Sequence, residues 1–403
     1  MRDNIRSIVM MMAVTAAGIG TGICALPVLG QEAAAGAAKV ALPAPAAAVP
    51  TQNKPLVQIA ILLDTSNSMD GLIEQAKTQL WKIVNEFAKA QRGGQRPDIQ
   101  VALYHYGTPS LGAETGFIKQ LVPLTDDLDK VSEELFKLRT SGGDEYCGAV
   151  IKKAAEELKW SDDKGAYKAI FIAGNEPFTQ GTVNYSEACK EAVSKGIIVN
   201  TIFCGEEQEG IRTNWKDGAA LADGSFMSIN QNAAVVHIDA PQDKELAELG
   251  QKINGTYVRY GTAGAAGAQN QAAQDSNVAG LGGGRAPAAA AERAVTKSST
   301  LYRNGSWDLV DGVREKQVQL KDVKDEDLPE EMRKLDAKGR ETYVAEKQKE
   351  REEIQARIKQ LGEEREKFLA EKRKEQGGES TLDTAIVRVV RTQAQSNGMT
   401  FEK

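Results

Sequence analysis

The stretch LVQIAILLDTSNSMDG, residues 56–71, decides the fold. It opens on an almost unbroken apolar run that stops at Asp64. Such a run, followed at once by polar turn residues, predicts a strand buried on both faces. Beyond the turn, residues 71–90 place Leu72, Ile73, Ala76, Leu80, Ile83, Val84 and Phe87 at helical spacing. A buried strand that passes through a short turn into an amphipathic helix is the start of a βα unit.

The alternation continues along the chain. Strands are predicted at 99–106, 117–122, 169–173, 197–203, 226–229 and 235–238. Helices are predicted at 128–138, 147–158, 185–194 and 244–253. Strands alternating with helices imply an α/β fold with a doubly wound, mostly parallel, Rossmann-like sheet. Ligands of such sheets bind outside the carboxyl ends of the strands, so Asp64 stands where function is expected.

The turn itself carries the chemistry. Asp64, Ser66 and Ser68 form an Asp-x-Ser-x-Ser pattern. They offer a carboxylate and two hydroxyls, hard oxygen donors that suit Mg²⁺ or Ca²⁺ and not zinc or copper. The pattern is short, and its other reading is a helix cap in which Ser66 or Ser68 satisfies free backbone N–H groups. Taken with its strand, its helix and the later elements, the stretch from 56 to 260 resembles the von Willebrand factor A-type fold and its metal-ion-dependent adhesion site. The resemblance implies that Ser66 and Ser68 bind the metal directly, with Asp64 acting through water. It implies Mg²⁺ first, with Mn²⁺ or Ca²⁺ as alternatives, and a protein partner that offers an acidic side chain to the cation.

Two loops depart from that family. Its threonine loop reads Gly-Gly-Thr, whereas here SGGDEYCGAVI (141–151) has Asp144 after Gly142 and Gly143. Its later aspartate, at the end of the fourth strand, falls here on about Gly174 in IFIAGNEPF (170–178), with Asn175 and Glu176 following. A carboxylate gained at Asp144 compensates for the one lost at Gly174. The expected metal set is therefore Asp64, Ser66, Ser68, Asp144 and Glu176.

The rest of the chain sets the context. Arg2 and Arg6 precede an uncharged stretch, 7–30, that ends in Val28-Leu29-Gly30, which reads as a signal peptide over 1–30. Residues 31–54 are an Ala/Pro-rich tether. The A-type domain spans 55–260, and an Ala/Gly/Gln-rich linker is expected at 261–296. Residues 297–403 read as a helical, partly coiled-coil-like region, with Ile354, Ile358, Leu361 and Phe368 as one thin stripe. That stripe is covered within the chain or pairs with a second copy as a homo-oligomer. Leu382, Ile386 and Val389 continue as a second short helix. Cys147, Cys189 and Cys204 are expected as buried thiols.

Of 403 residues, 26% are charged, and the formal net charge is -6. An acidic balance offers no footprint for nucleic acid. Only His105 and His237 are available to a Ser-His-Asp triad, and no Gly-x-Ser-x-Gly elbow is present. Both histidines read as structural, and Trp307 as an anchor for the C-terminal segment. The reading is a non-enzymatic, exported binding protein of the periplasm or cell surface, in contact with the membrane only if the signal segment is retained. Its alternative is a cell-envelope scaffold that assembles through the helical C-terminus with a vestigial cation site.

Overall fold

The computed structural model describes residues 54–230, 238–376 and 382–401. The expected signal peptide, nearly all of the tether, and His237 lie outside those residues, as does the expected strand at 235–238 apart from Ile238.

The strands are β1 (Leu56–Asp64), β2 (Ala90–Gln91), β3 (Asp98–Tyr106), β4 (Ile118–Thr125), β5 (Tyr167–Gly174), β6 (Ile198–Cys204), β7 (Phe226–Ile229) and β8 (Thr400–Phe401). Six of them form one sheet in the order β4-β3-β1-β5-β6-β7, while β2 and β8 pair separately. Only the β3–β4 pairing of the large sheet is antiparallel. The sheet is thus the mostly parallel, Rossmann-like one read from the sequence. Central β1 is apolar on both faces because helices cover both. Val57, Ile59 and Leu63 belong to one core layer, Ala60 and Leu62 to the other.

The helices are α1 (Asp70–Ala88), α2 (Leu128–Lys137), α3 (Cys147–Glu157), α4 (Tyr185–Ser194), α5 (Glu207–Arg212), α6 (Trp215–Leu221), α7 (Asp243–Lys252), α8 (Gly264–Ala279), α9 (Ala286–Ser298), α10 (Leu309–Arg314), α11 (Glu330–Arg333), α12 (Ala337–Gln376) and α13 (Leu382–Ser396). One sheet face is packed by α3, α4 and α6, the other by α1 and α2.

The second face brings a correction. The stretch 261–296, expected as a linker, holds α8 and most of α9, and both helices are packed into the body. Val278 and Ala289 join the same core layer as α1, together with Ile386, Val389, Val390 and Ala394 of α13. Alanine supplies little apolar area but a slim helix surface, and the polar residues between the alanines are buried because they are paired. Arg293 bonds Asp129 at 2.7 Å and Asp275 at 2.5 Å, and its guanidinium lies over the Trp81 ring at 4.6 Å. Lys297 reaches Asp275 at 3.0 Å.

The long helix α12 carries the predicted stripe. Ile354, Ile358 and Leu361 are buried against Leu246, Ile253, Ala291 and Ala294 of the same chain. Farther along, Leu369 is buried and Phe368 only half-buried. Among the described residues, Ile354, Ile358 and Leu361 of the stripe are therefore covered within the chain. Trp307 is buried and stacks on Tyr257 at 5.6 Å, in keeping with the anchor reading. No helix among the described residues is long and apolar enough to cross a membrane.

Candidate metal-ion site

Asp64 is the last residue of β1, opposite Tyr106 of β3 and next to the carboxyl end of β5. The strand order turns around β1, so the crevice that such sheets use for ligands opens at this residue. The Asp64 side chain is fully buried. Its Oδ1 accepts a hydrogen bond from the Ser66 backbone N–H at 2.7 Å. Its Oδ2 is buried with no hydrogen-bond partner, which costs stability unless something satisfies it.

Ser66 is the N-cap of a short 3₁₀ turn, Asn67–Met69, but its side chain makes no cap hydrogen bond. Met69, the N-cap of α1, makes none either. The capping reading of the motif therefore fails. The hydroxyls of Ser66 and Ser68 face each other at 3.2 Å instead, and Ser68 donates to Asn175 Oδ1 at 3.3 Å. Asn175 follows the end of β5, so the β1 and β5 loops meet over Asp64.

The third loop places its two acidic residues differently. Asp144 is exposed, and its carboxylate accepts from the Tyr146 hydroxyl at 3.3 Å. The carboxylate that the loop buries at the site is that of its neighbour, Glu145. Ser141 N–H donates to the Thr65 carbonyl at 2.9 Å and Glu145 N–H to Gln180 Oε1 at 2.9 Å, which fixes the register of the loop. Gly107 makes the approach possible. A methyl group there would lie 2.8 Å from both Asp64 Oδ1 and Glu145 Cγ. Gly174 is equally tight, since a methyl group would meet the Tyr106 hydroxyl at 2.7 Å and Asp64 Oδ2 at 3.0 Å. No side chain fits at the position that the family gives to its later aspartate. Glu176 is half-buried, two residues on.

These carboxylates perturb one another. Burial, with repulsion from Glu176, pushes Asp64 up to about 7 against the hydrogen bonds it accepts from Ser66. Burial, then the charges of Asp64 and Glu176, push Glu145 up to about 8, with hydrogen bonding to Ser66 acting the other way. Among the described residues no three or more His, Cys, Asp or Glu side chains are grouped to hold a metal ion. A cation here would draw on the serine hydroxyls as well as carboxylates. The donor set fits one in two respects: all its atoms are hard oxygens, and one buried carboxylate oxygen lacks a partner.

His105 Nδ1 lies 3.2 Å from the Thr65 hydroxyl, which also bonds the Tyr106 carbonyl. Burial and nearby Lys119 push the imidazole down to about 4, so it is neutral and anchors the turn. Cys147, Cys189 and Cys204 are free and buried.

Residues 58–213 match the family model of the von Willebrand factor type A domain. Among solved structures, the chain is similar to the conserved hypothetical protein BatB from Bacteroides thetaiotaomicron. The identity is 18% over 43% of this chain and 90% of that one, with a TM-score of 0.34. It is similar to the SpRpn10 VWA domain at 18% identity over 45% and 91% of the two chains, with a TM-score of 0.34. It is also similar to the pilus adhesin SpaC from Lactobacillus rhamnosus GG at 16% identity over 45% and 29%, with a TM-score of 0.35. The comparison with curated proteins finds no match. Together with the sheet order and the Asp64–Ser68 turn, the family match identifies residues 58–213 as a von Willebrand factor type A domain.

Proposed function

We propose that this is an exported, non-enzymatic binding protein whose A-type domain holds a divalent cation at Asp64, Ser66 and Ser68 and engages a protein partner there. The observation that carries the reading is the pair of serine hydroxyls, unspent on capping, beside a buried carboxylate oxygen without a partner. Glu176 stands near enough to act electrostatically on Asp64. Mg²⁺ is the first choice of cation, with Mn²⁺ or Ca²⁺ as alternatives. The family resemblance offers an acidic side chain as the partner's contact. Export rests on the 7–30 segment read above. Binding is favoured over hydrolysis because the hydroxyl that His105 meets is that of Thr65, which is itself bonded to the Tyr106 carbonyl, and not that of Ser66 or Ser68. The alternative is a scaffold that assembles through the helical C-terminus with a vestigial cation site; the packing of Ile354, Ile358 and Leu361 within the chain supports the binding reading over it.

A cation that binds only the folded chain raises its stability by mass action, by about 2.7 kcal/mol at a hundredfold excess over the dissociation constant. The full chain should therefore melt several degrees higher in millimolar Mg²⁺, Mn²⁺ or Ca²⁺ than in chelator. Ser66→Ala combined with Ser68→Ala should remove that rise. An unchanged melting temperature in all three cations would end the reading.

The pH dependence has a definite sign. Asp64 and Glu145 titrate at about 7 and about 8 in the folded chain, above their ordinary 3.8 and 4.5. Between those limits the folded state binds more protons than the unfolded one, so cation-free stability falls as pH rises toward 8. A cation competes with these protons, so its stabilisation should grow over the same interval. Melting curves in chelator and in Mg²⁺ between about pH 5 and 8.5 check this. Parallel curves would mean that these carboxyls do not face the cation.

A further inference from the structure

The loop before α3 brings two neighbouring carboxylates toward the site, and the chain treats them differently. Asp144 and Glu145 are adjacent, yet only Glu145 is buried, and Asp144 is exposed beside Tyr146. Glu145 Cγ and Asp64 Oδ1 both lie 2.8 Å from where a side-chain carbon on Gly107 would stand. Its backbone is held by Gln180, and its loop is tied to Thr65, the residue between Asp64 and Ser66. Asp64 Oδ2, buried and without a partner, is an independent sign that the cluster is built around something the protein itself does not supply.

Resting on the cation reading above, we propose that Glu145 is a direct ligand of the cation, in the place that the family gives to a threonine hydroxyl. The argument is one of charge and space. Gly174 cannot carry the family's aspartate, because its first side-chain carbon would collide with Tyr106 and Asp64. The second negative charge that a divalent ion needs in a buried site must come from another loop, and Glu145 is the buried carboxylate that the α3 loop provides. Asp64 and Glu145 together neutralise a divalent cation, while Ser66 and Ser68 complete a mixed oxygen set. An acidic partner group would then meet a cation already balanced by the chain's own carboxylates. Its capture would be weaker than at a site of hydroxyls and one carboxylate, and more of the recognition would fall on the surrounding surface.

The test is titration of the full chain with MgCl₂, MnCl₂ and CaCl₂, by calorimetry and by melting temperature. Variants Glu145→Gln, Glu145→Asp, Asp144→Asn and Ser68→Ala are compared with wild type. Glu145→Gln should weaken cation binding by at least about tenfold, and Glu145→Asp should recover part of that loss. Asp144→Asn should bind as wild type does. The cation-free melting temperature of Glu145→Gln should be close to that of wild type, since glutamine keeps the size and the polar end of the side chain, and this marks the variant as folded. If Ser68→Ala loses the cation while Glu145→Gln keeps it, or if Asp144→Asn carries the loss, Glu145 is not a ligand although the site stands. If wild type binds none of the three cations, the cation reading and this assignment fail together.

Discussion

A chain cut after Tyr260, the end of the A-type domain as read from the sequence, is expected to lose cooperative folding. The reason is the helix α1. In an A-type domain standing alone, its outer surface would face water. Here Trp81 is fully buried beneath Arg293 of α9. Asn85 bonds the Glu292 carbonyl at 2.9 Å and the Thr296 hydroxyl at 2.7 Å. Val278, Leu301, Ile386, Val389, Val390 and Met399 belong to the core layer that α1 and the sheet share. Each large apolar side chain withdrawn from such a layer forfeits about 1.5–3 kcal/mol. Six of them amount to about 10 kcal/mol, the order of a whole domain's stability of about 5–15 kcal/mol. Thermal and urea unfolding of a 54–260 fragment should show a broad transition or none, with binding of a hydrophobic dye, whereas the 54–403 chain unfolds sharply. A fragment with a sharp transition would show that the C-terminal helices are an addition and not part of the fold.

The sheet was legible because its signals are local. The apolar run of β1, the alternation in β3 and the spacing along α1 each lie within a single window, and the bounds of β7 and α4 coincide with those read. The helices α8 and α9 were not legible for the opposite reason. Gln271, Gln274, Asp275, Glu292, Arg293 and Lys297 are buried by pairing with groups distant in sequence, such as Asp129 and Arg365. Polar residues among alanines look like a solvated linker to any reading of periodicity. Where Gly267 lies, a methyl group would sit 2.3 Å from Trp307, so its small size serves close packing.

At the site, the same limit applies to the burial of Glu145 and the exposure of its neighbour Asp144. Spacing brings the acidic pair to the loop, but which of the two turns inward depends on register. That register is set by Ser141 on Thr65 and by Gln180 on Glu145, contacts between segments far apart in sequence. The motif Asp64-x-Ser66-x-Ser68 was legible because its three residues act within one turn.

Arg351→Met should destabilise the chain by about 3–5 kcal/mol, the usual cost of removing one partner from a buried ion pair. Arg351 lies on α12 and is buried, with its guanidinium 4.1 Å from the Tyr257 ring centre. Its Nη1 donates to Asp308 Oδ2 at 2.7 Å and to Asp311 Oδ1 at 2.8 Å. Its Nε donates to the Thr256 hydroxyl at 3.0 Å and its Nη2 to the Thr256 carbonyl at 2.7 Å. One side chain thus ties the long helix to the segment that leaves α7 and to α10. Asp308 is committed elsewhere as well, since its Oδ1 accepts from Val258 N–H at 2.6 Å and its Oδ2 caps α10 through Asp311 N–H. Methionine keeps the volume of the stem but leaves buried Asp308 without this cation and Asp311 with only Arg314, at 2.8 Å. The loss should appear in the urea midpoint with the slope unchanged, because the surface exposed on unfolding stays the same. Asp311→Asn added to Arg351→Met should cost less than the two changes summed, because with Arg351 gone Arg314 alone faces the Asp308–Asp311 pair, and the second change removes the excess negative charge. Additive costs, or a loss under 1 kcal/mol for Arg351→Met alone, would show that α12 is held by the Ile354–Leu361 stripe and not by this charge.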